Sequence, residues 1–373
     1  MFIEELNNYP WEETRERIYS KTAGDVERAL SKEMLNVNDF MALISPAGTD
    51  YLEPMARLSR KYTQQRFGKT IQFYIPLYLT NSCINRCVYC GFNHDNPGRR
   101  IILTDEEISE EINAIKAIGN FQHILLVTGE NPRDAGIDYI ENAVNLIRPH
   151  FSSISIEVQP LKEEEYVRLK KAGVNAVYCY QETYRREHYK LYHPKGLKSD
   201  FVRRLDTYER IGKAGIYKMG LGTLIGLEDR QTDAVMMAYH LRYLQKNYRK
   251  TKYSISFPRL RPHEGDSFRP NVVTTDKELA QLIFAFRLFD HDVELALSTR
   301  ENQHFRDNMM SLGITSMSAG SKTDPGGYAV YPQSLEQFSV NDDRSPDEIL
   351  NVIKDQEYEV VWKDWDWGLD GRE

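Results

Sequence analysis

Cysteine is scarce in this sequence and unevenly placed: the 373 residues contain four, three of them between positions 83 and 90, and none follows Cys179. A secreted chain held by disulfides would spread an even set along its length, so a disulfide framework is excluded and a reducing compartment, the cytoplasm, is expected. Long apolar runs are missing too. No stretch approaches the roughly 18 uninterrupted apolar residues a bilayer span needs. Residues 1–10 have neither a basic region nor an apolar core, so no signal peptide is expected. The third absence is a basic block. Lys and Arg total 48 against 55 Asp and Glu, a net charge of −7, which excludes a nucleic-acid surface and leaves a small molecule or a protein as partner.

What is present centres on Cys83-Ile-Asn-Arg-Cys87-Val-Tyr-Cys90-Gly91-Phe92. The run before it, 71–79, is apolar, β-branched and aromatic, and reads as a buried strand that delivers the cysteine loop at its C-terminal end. Three thiols are too few for a structural zinc site, which takes four protein ligands. A cluster held by three thiolates instead leaves one iron free for a small ligand. The spacing, followed by Gly-Phe, resembles the signature of the radical S-adenosylmethionine (SAM) enzymes, in which that iron chelates the amino and carboxylate groups of SAM. The resemblance implies a [4Fe-4S] cluster on Cys83, Cys87 and Cys90.

From position 71 onward, short β-rich runs alternate with longer amphipathic ones, the pattern of repeated βα units. Strands are predicted at 71–79, 123–127, 153–158, 176–180, 218–222, 253–257, 293–297 and 314–317. Helices are predicted between them at 105–118, 137–148, 163–172, 200–214, 232–247 and 276–289. Eight strands over about 250 residues are the size of a complete (β/α)8 TIM-type barrel, which puts catalytic groups at the strand C-termini. Residues 1–70 read as an N-terminal helical extension with starts near Thr22 and Asn38, a third helix at 51–67 and a stop at Gly68. The division expected is 1–70, a 71–320 barrel and a 321–373 C-terminal capping segment. Three of the four tryptophans, Trp362, Trp365 and Trp367, lie in that last segment, either buried against the barrel or offered to a partner.

The predicted strand ends carry polar groups. Strand two ends in Thr128-Gly129-Glu130, which by itself reads as a turn. Strand three ends in Glu157-Val-Gln159, where alternation would point a carboxylate and an amide the same way. The carboxylate could accept from ribose hydroxyls, handle a substrate proton, or be a solvated loop residue. Strand four ends at Glu182, with Arg203-Arg204-Leu-Asp-Thr about twenty residues on. Strand five runs into Thr223-Leu-Ile225-Gly. Strands six to eight end with Arg259 and Arg261, with Arg300, and with Ser316-Met-Ser318. An arginine there suits an amino-acid carboxylate, a bidentate target, and Arg300 is the first choice. Cys179, mid-strand and without companions, reads as a small core hydrophobe.

Over essentially the whole chain, segments such as Pro76-Leu-Tyr-Leu, Glu157-Val-Gln-Pro-Leu, Tyr180-Gln-Glu-Thr-Tyr, Ser256-Phe-Pro-Arg-Leu-Arg-Pro and Ser298-Thr-Arg-Glu resemble the radical SAM tyrosine lyases of thiazole biosynthesis. The resemblance implies cleavage of the Cα–Cβ bond of L-tyrosine to 2-iminoacetate and p-cresol, with SAM ending as methionine and 5′-deoxyadenosine. It assigns Phe92, Thr128, Gly129, Glu130, Glu157, Glu182, Arg204 and Ile225 to the cofactor, with Glu182 on the ribose and Arg204 on the SAM carboxylate. Arg300 and Ser318 fall to the reaction. It also implies the thiazole synthase ThiG as acceptor of the unstable product and a flavodoxin-type protein as electron donor. A hydrogenase-maturation tyrosine lyase would carry a C-terminal cysteine motif, and no Cys follows Cys179. A tryptophan lyase differs in pocket shape, and a non-catalytic iron-sulfur scaffold would fail to cleave SAM.

Overall fold

The computed structural model describes residues 1–263 and 268–364; Trp365 and Trp367 lie outside the described residues. Eight parallel strands close into a barrel: β1 (Thr70–Thr80), β2 (His123–Thr128), β3 (Ser153–Glu157), β4 (Val174–Tyr178), β5 (Lys218–Gly222), β6 (Lys252–Ser256), β7 (Glu294–Leu297) and β8 (Ser316–Ser318). They pair in sequence order, and β1 closes the ring between β8 and β2. The predicted strands are all present, with ends moved by up to two residues. The parallel arrangement follows from the crossover helices, whose apolar faces cover the outside of the sheet.

Local signals fix the helix starts. Asp105–Ile118 and Asp276–Phe289 open with capping boxes, Thr104 with Glu107 and Thr275 with Glu278, each satisfying N–H groups the first turn leaves unpaired. The helix predicted at 200–214 is two pieces, Phe201–Leu205 and Thr207–Lys213, with Asp206 at the junction.

The first 70 residues pack on the side of the barrel rather than over an end. Val37–Ile44, starting from an Asn36–Asp39 capping box, is almost wholly buried against Arg230–Asn247 and Asp276–Phe289. Leu52–Phe67 packs on the latter and stops at Gly68, whose φ of 71° suits glycine at a helix end. Phe2–Leu6 and Trp11–Tyr19 are additional helices here.

After β8 the chain crosses the barrel mouth, then descends through the helix Pro346–Asp355 to a ninth strand, β9 (Glu359–Val361). β9 adds in parallel to the N-terminal end of β1. Trp362 then meets Phe73 and Phe121 edge-on, at 5.4 and 5.3 Å between ring centroids. That tryptophan is thus packed, partly buried, against the barrel. No helix among the described residues is long and apolar enough to cross a membrane.

Candidate active site

The loop after β1 is folded by backbone capture. Arg100 donates to the carbonyls of Asn81, Phe92, Asn93, His94 and Asn96 at 2.6–3.4 Å. The Asn81 side chain holds Ile101 N–H at 2.7 Å. The loop is also tied to residues 192–195 by Val88 N–H to Tyr192 O and Arg86 N–H to Lys195 O. Cys83, Cys87 and Cys90 are all free thiols, and all three line one cavity at the C-terminal end of the barrel. Burial pushes each thiol up, Cys90 to about 12, so loading a thiolate-bound group would release protons. Among the described residues no three His, Cys, Asp or Glu side chains converge on a single ion.

The cavity encloses about 1390 Å³ of empty space when the open solvent at its mouth is counted in. Around it stand Phe92, Thr128, Gly129, Glu130, Glu157, Glu182, Arg204, Arg300 and Ser318, residues from seven separate regions of the sequence. Phe92 packs edge-on against Tyr78 at 5.8 Å. Gly129 is required by contact: a Cβ there would collide with the Ser82 carbonyl. The Thr128 hydroxyl is buried without a hydrogen-bond partner among the described residues, a group that awaits a ligand or water.

One wall is a buried ionic network. Glu130 accepts from Arg204 Nη1 at 2.7 Å and from Asn85 Nδ2 at 2.8 Å, and Arg204 Nε donates to Tyr180 O at 2.6 Å. Glu182 pairs with Lys198 Nζ at 2.6 Å and lies 3.9 Å from Arg204 Nη2. Burial opposes the charge on Glu130, yet Arg204 and Lys198 together hold its carboxyl below the ordinary range. Glu182 sits at φ 70°, a strained conformation for a residue with a Cβ. Its backbone is held by Leu224 N–H to Glu182 O at 2.8 Å. Glu157 ends β3, between the strands that lead to Glu130 and Glu182, and is pushed up to about 7 by burial and by the Glu182 carboxylate. Arg300, after β7, is lowered by burial and has no carboxylate bonded to it among the described residues. Its Nη1 reaches only Arg259 O, at 3.4 Å, and its Cζ stacks 3.3 Å from the Phe338 ring centroid.

Three predicted groups lie elsewhere. Ile225 belongs to the main apolar core, and Leu224 faces the cavity in its place. Gln159 lines a separate groove and donates to Ala135 O at 2.8 Å, because β3 ends at Glu157 and strand alternation stops there. Arg259 turns from the mouth to Glu301 and Asp276, whereas Arg261 lines the cavity. Cys179 is buried in the main core, away from the loop cysteines, as predicted for a small hydrophobe. Sequence reasoning missed Lys198, Tyr78, Tyr89, Gln337 and Phe338 on the wall. A Lys in the polar loop Gly196-Leu-Lys-Ser reads as solvated, and no local signal marks it.

Two family models match the chain: the Radical SAM superfamily over residues 77–238 and the Biotin and Thiamin Synthesis associated domain over 256–359. The 2-iminoacetate synthases of Salmonella typhimurium and Escherichia coli K12 are each 48% identical over 366 residues, covering 98% of this chain and 97% of the relative. Among solved structures, HydG, a maturase of the [FeFe]-hydrogenase, aligns with a TM-score of 0.88 at 32% identity over 94% of this chain and 80% of its own.

Proposed function

The chain belongs to the 2-iminoacetate synthase family of radical SAM enzymes, and on that premise we propose that it cleaves the Cα–Cβ bond of L-tyrosine to 2-iminoacetate and p-cresol. The observation that carries the substrate reading is Arg300: a partly buried guanidinium with no anionic partner in contact among the described residues, in the same cavity as the three free cysteines. A cation withdrawn from bulk water and left unpaired is costly, and an amino-acid carboxylate would relieve that cost through two parallel hydrogen bonds.

Cys83, Cys87 and Cys90 would hold a [4Fe-4S] cluster; the donor set fits, being three free thiols on a wall beside the unpartnered Thr128 hydroxyl. When bound, the reduced cluster would supply one electron and SAM the hydrogen-abstracting radical, with SAM alone ending as methionine and 5′-deoxyadenosine. The chain's own residues bind, orient and exclude water. In this reading Phe92 and the backbone of Thr128, Gly129 and Glu130 face the methionine part of SAM, Glu182 and Glu157 the ribose, Arg204 the carboxylate, and the Leu224-Ile225 segment the adenine. Arg300 fixes the tyrosine carboxylate so that its amino group faces the cofactor, with Ser318 beside it.

The imine product hydrolyses in water, which supports direct transfer to a thiazole synthase of the ThiG type, and a cytoplasmic flavodoxin-type protein would supply the electron. The test is anaerobic reconstitution with iron and sulfide, then SAM, reductant and a panel of amino acids. We expect p-cresol from tyrosine alone. SAM cleavage with no p-cresol, or indole-derived products from tryptophan instead, would overturn the substrate assignment.

A further inference from the structure

Residues 337–342 lie across the barrel mouth as a strap, anchored on four separate parts of the barrel. Gly91 N–H in the cysteine loop donates to Gln337 O at 2.9 Å, and Tyr78 Oη on β1 donates to Gln337 Oε1 at 2.8 Å. Ser339 N–H reaches Pro262 O after β6, at 3.0 Å. Asn341 and Asp342 N–H both reach Thr299 O after β7, at 2.8 and 3.1 Å. Thr323 backs the strap, its carbonyl accepting from Gln337 N–H at 2.9 Å and its hydroxyl donating to Phe338 O at 2.8 Å. At the far end Asp342 is fully buried between Arg306 and Arg344. Gly91 has to be glycine for this contact, because a Cβ would meet the Glu336 carbonyl.

What the strap delivers is one aromatic face. Phe338 stacks on the Arg300 guanidinium at 3.3 Å, and the one hydrogen bond of that guanidinium among the described residues is the long one to Arg259 O. A carboxylate is received by a guanidinium in its own plane, so the direction in which a bound amino acid points is set by how that plane is held. Hydrogen bonds do little of this for Arg300. The ring does it, covering one face and leaving the N–H edge to the cavity.

We propose that Phe338 is a positioning residue for substrate: it fixes the plane of Arg300 and thereby the pose in which tyrosine is offered for hydrogen abstraction. The inference rests on Arg300 as the carboxylate anchor. Loss of the ring face frees the guanidinium to turn, so binding weakens and radical formation is no longer matched to a correctly placed substrate.

The experiment compares reconstituted wild type, Phe338→Leu, Phe338→Tyr and Arg300→Ala for iron content, KM for tyrosine and the ratio of p-cresol to 5′-deoxyadenosine. A desolvated cation–π contact corresponds to about a 3- to 30-fold change in binding. Phe338→Leu should keep its iron, raise KM by that factor and lower the ratio, and Phe338→Tyr should restore both. If the Leu variant loses iron, Phe338→Met takes its place. Iron loss in both overturns the proposal in favour of a purely structural strap. A Leu variant with wild-type KM and ratio overturns it while leaving the anchor intact, provided Arg300→Ala uncouples. Equal impairment of the Leu and Tyr variants also overturns it. A coupled Arg300→Ala enzyme removes the anchor itself.

Discussion

Replacing Lys198 with Met tests whether the ionic wall of the cavity is a cooperative unit. Lys198 and Glu182 are about nine-tenths buried and 2.6 Å apart, and Arg204 is the next cation to Glu182, at 3.9 Å. Removing one member of a buried pair costs about 3–5 kcal/mol, because the other charge stays behind without its partner. Arg204 remains close enough to compensate in part, which puts Lys198→Met near the lower limit, about 3 kcal/mol. An unfolding entropy of about 2.1 cal/mol/K per residue over 373 residues amounts to about 0.8 kcal/mol/K, so the midpoint should fall by about 4 °C. Glu182→Gln alone should also destabilise, since it leaves the ammonium beside Arg204 uncompensated. The double variant should lose less than the sum of the two by about 2–3 kcal/mol. Thermal unfolding of the four proteins at one scan rate supplies the cycle. Additive shifts would refute the pairing as an energetic unit, and a Lys198→Met midpoint within 1 °C of wild type would show that the ammonium is replaced by water.

Other perturbations bear on separate parts of the site. Arg300→Ala should weaken tyrosine binding by about 30-fold to a few thousandfold, the range for removing one partner of a desolvated charge pair, with Arg300→Lys in between; titration of the holoenzyme with tyrosine measures both. Cys179→Ala should retain all iron, whereas Ala at Cys83, Cys87 or Cys90 should not, and iron analysis after reconstitution separates the two outcomes. Glu157 has its carboxyl raised to about 7 from the ordinary 4.5, so between those values the folded state binds more protons than the unfolded one. Stability from this group therefore falls as pH rises through that window, by about 1–3 kcal/mol once water in the cavity is allowed for. Urea denaturation should show Glu157→Gln closing the gap in stability between pH 5 and pH 8.

The parts of the fold legible in the sequence are those whose signals are local. The 71–79 run announces β1, and Thr-x-x-Glu pairs announce the helices that begin at Asp105 and Asp276. The cysteine spacing identifies its loop without help from tertiary structure. Residues whose placement depends on distant backbone were not legible. Lys198 is turned inward because its N–H binds Asn85 Oδ1 at 2.9 Å and because Gly196, at φ 102°, lies against Asn85. Phe338 reaches Arg300 only through a strap built from residues far along the chain. Where periodicity was extended past a strand end, at Gln159, or read one residue out of phase, at Ile225, side chains fell on the wrong side. Trp11–Tyr19, more than half charged in sequence, carries no start signal that marks it as a separate helix within the helical extension.

The strap also has a position in time. Gln337 is about 250 residues downstream of Cys90, and at roughly 5–20 residues per second a ribosome takes about 12–50 s to travel between them. During that interval a nascent barrel has its cysteine loop but no polypeptide to lie across its mouth, and the Gly91 N–H that will meet Gln337 is bare. Delivery of iron and sulfide by a bulky carrier is sterically easiest in that window and harder after it. A chain terminated before Gln337 should accordingly surrender its iron to an external chelator faster than the full-length protein.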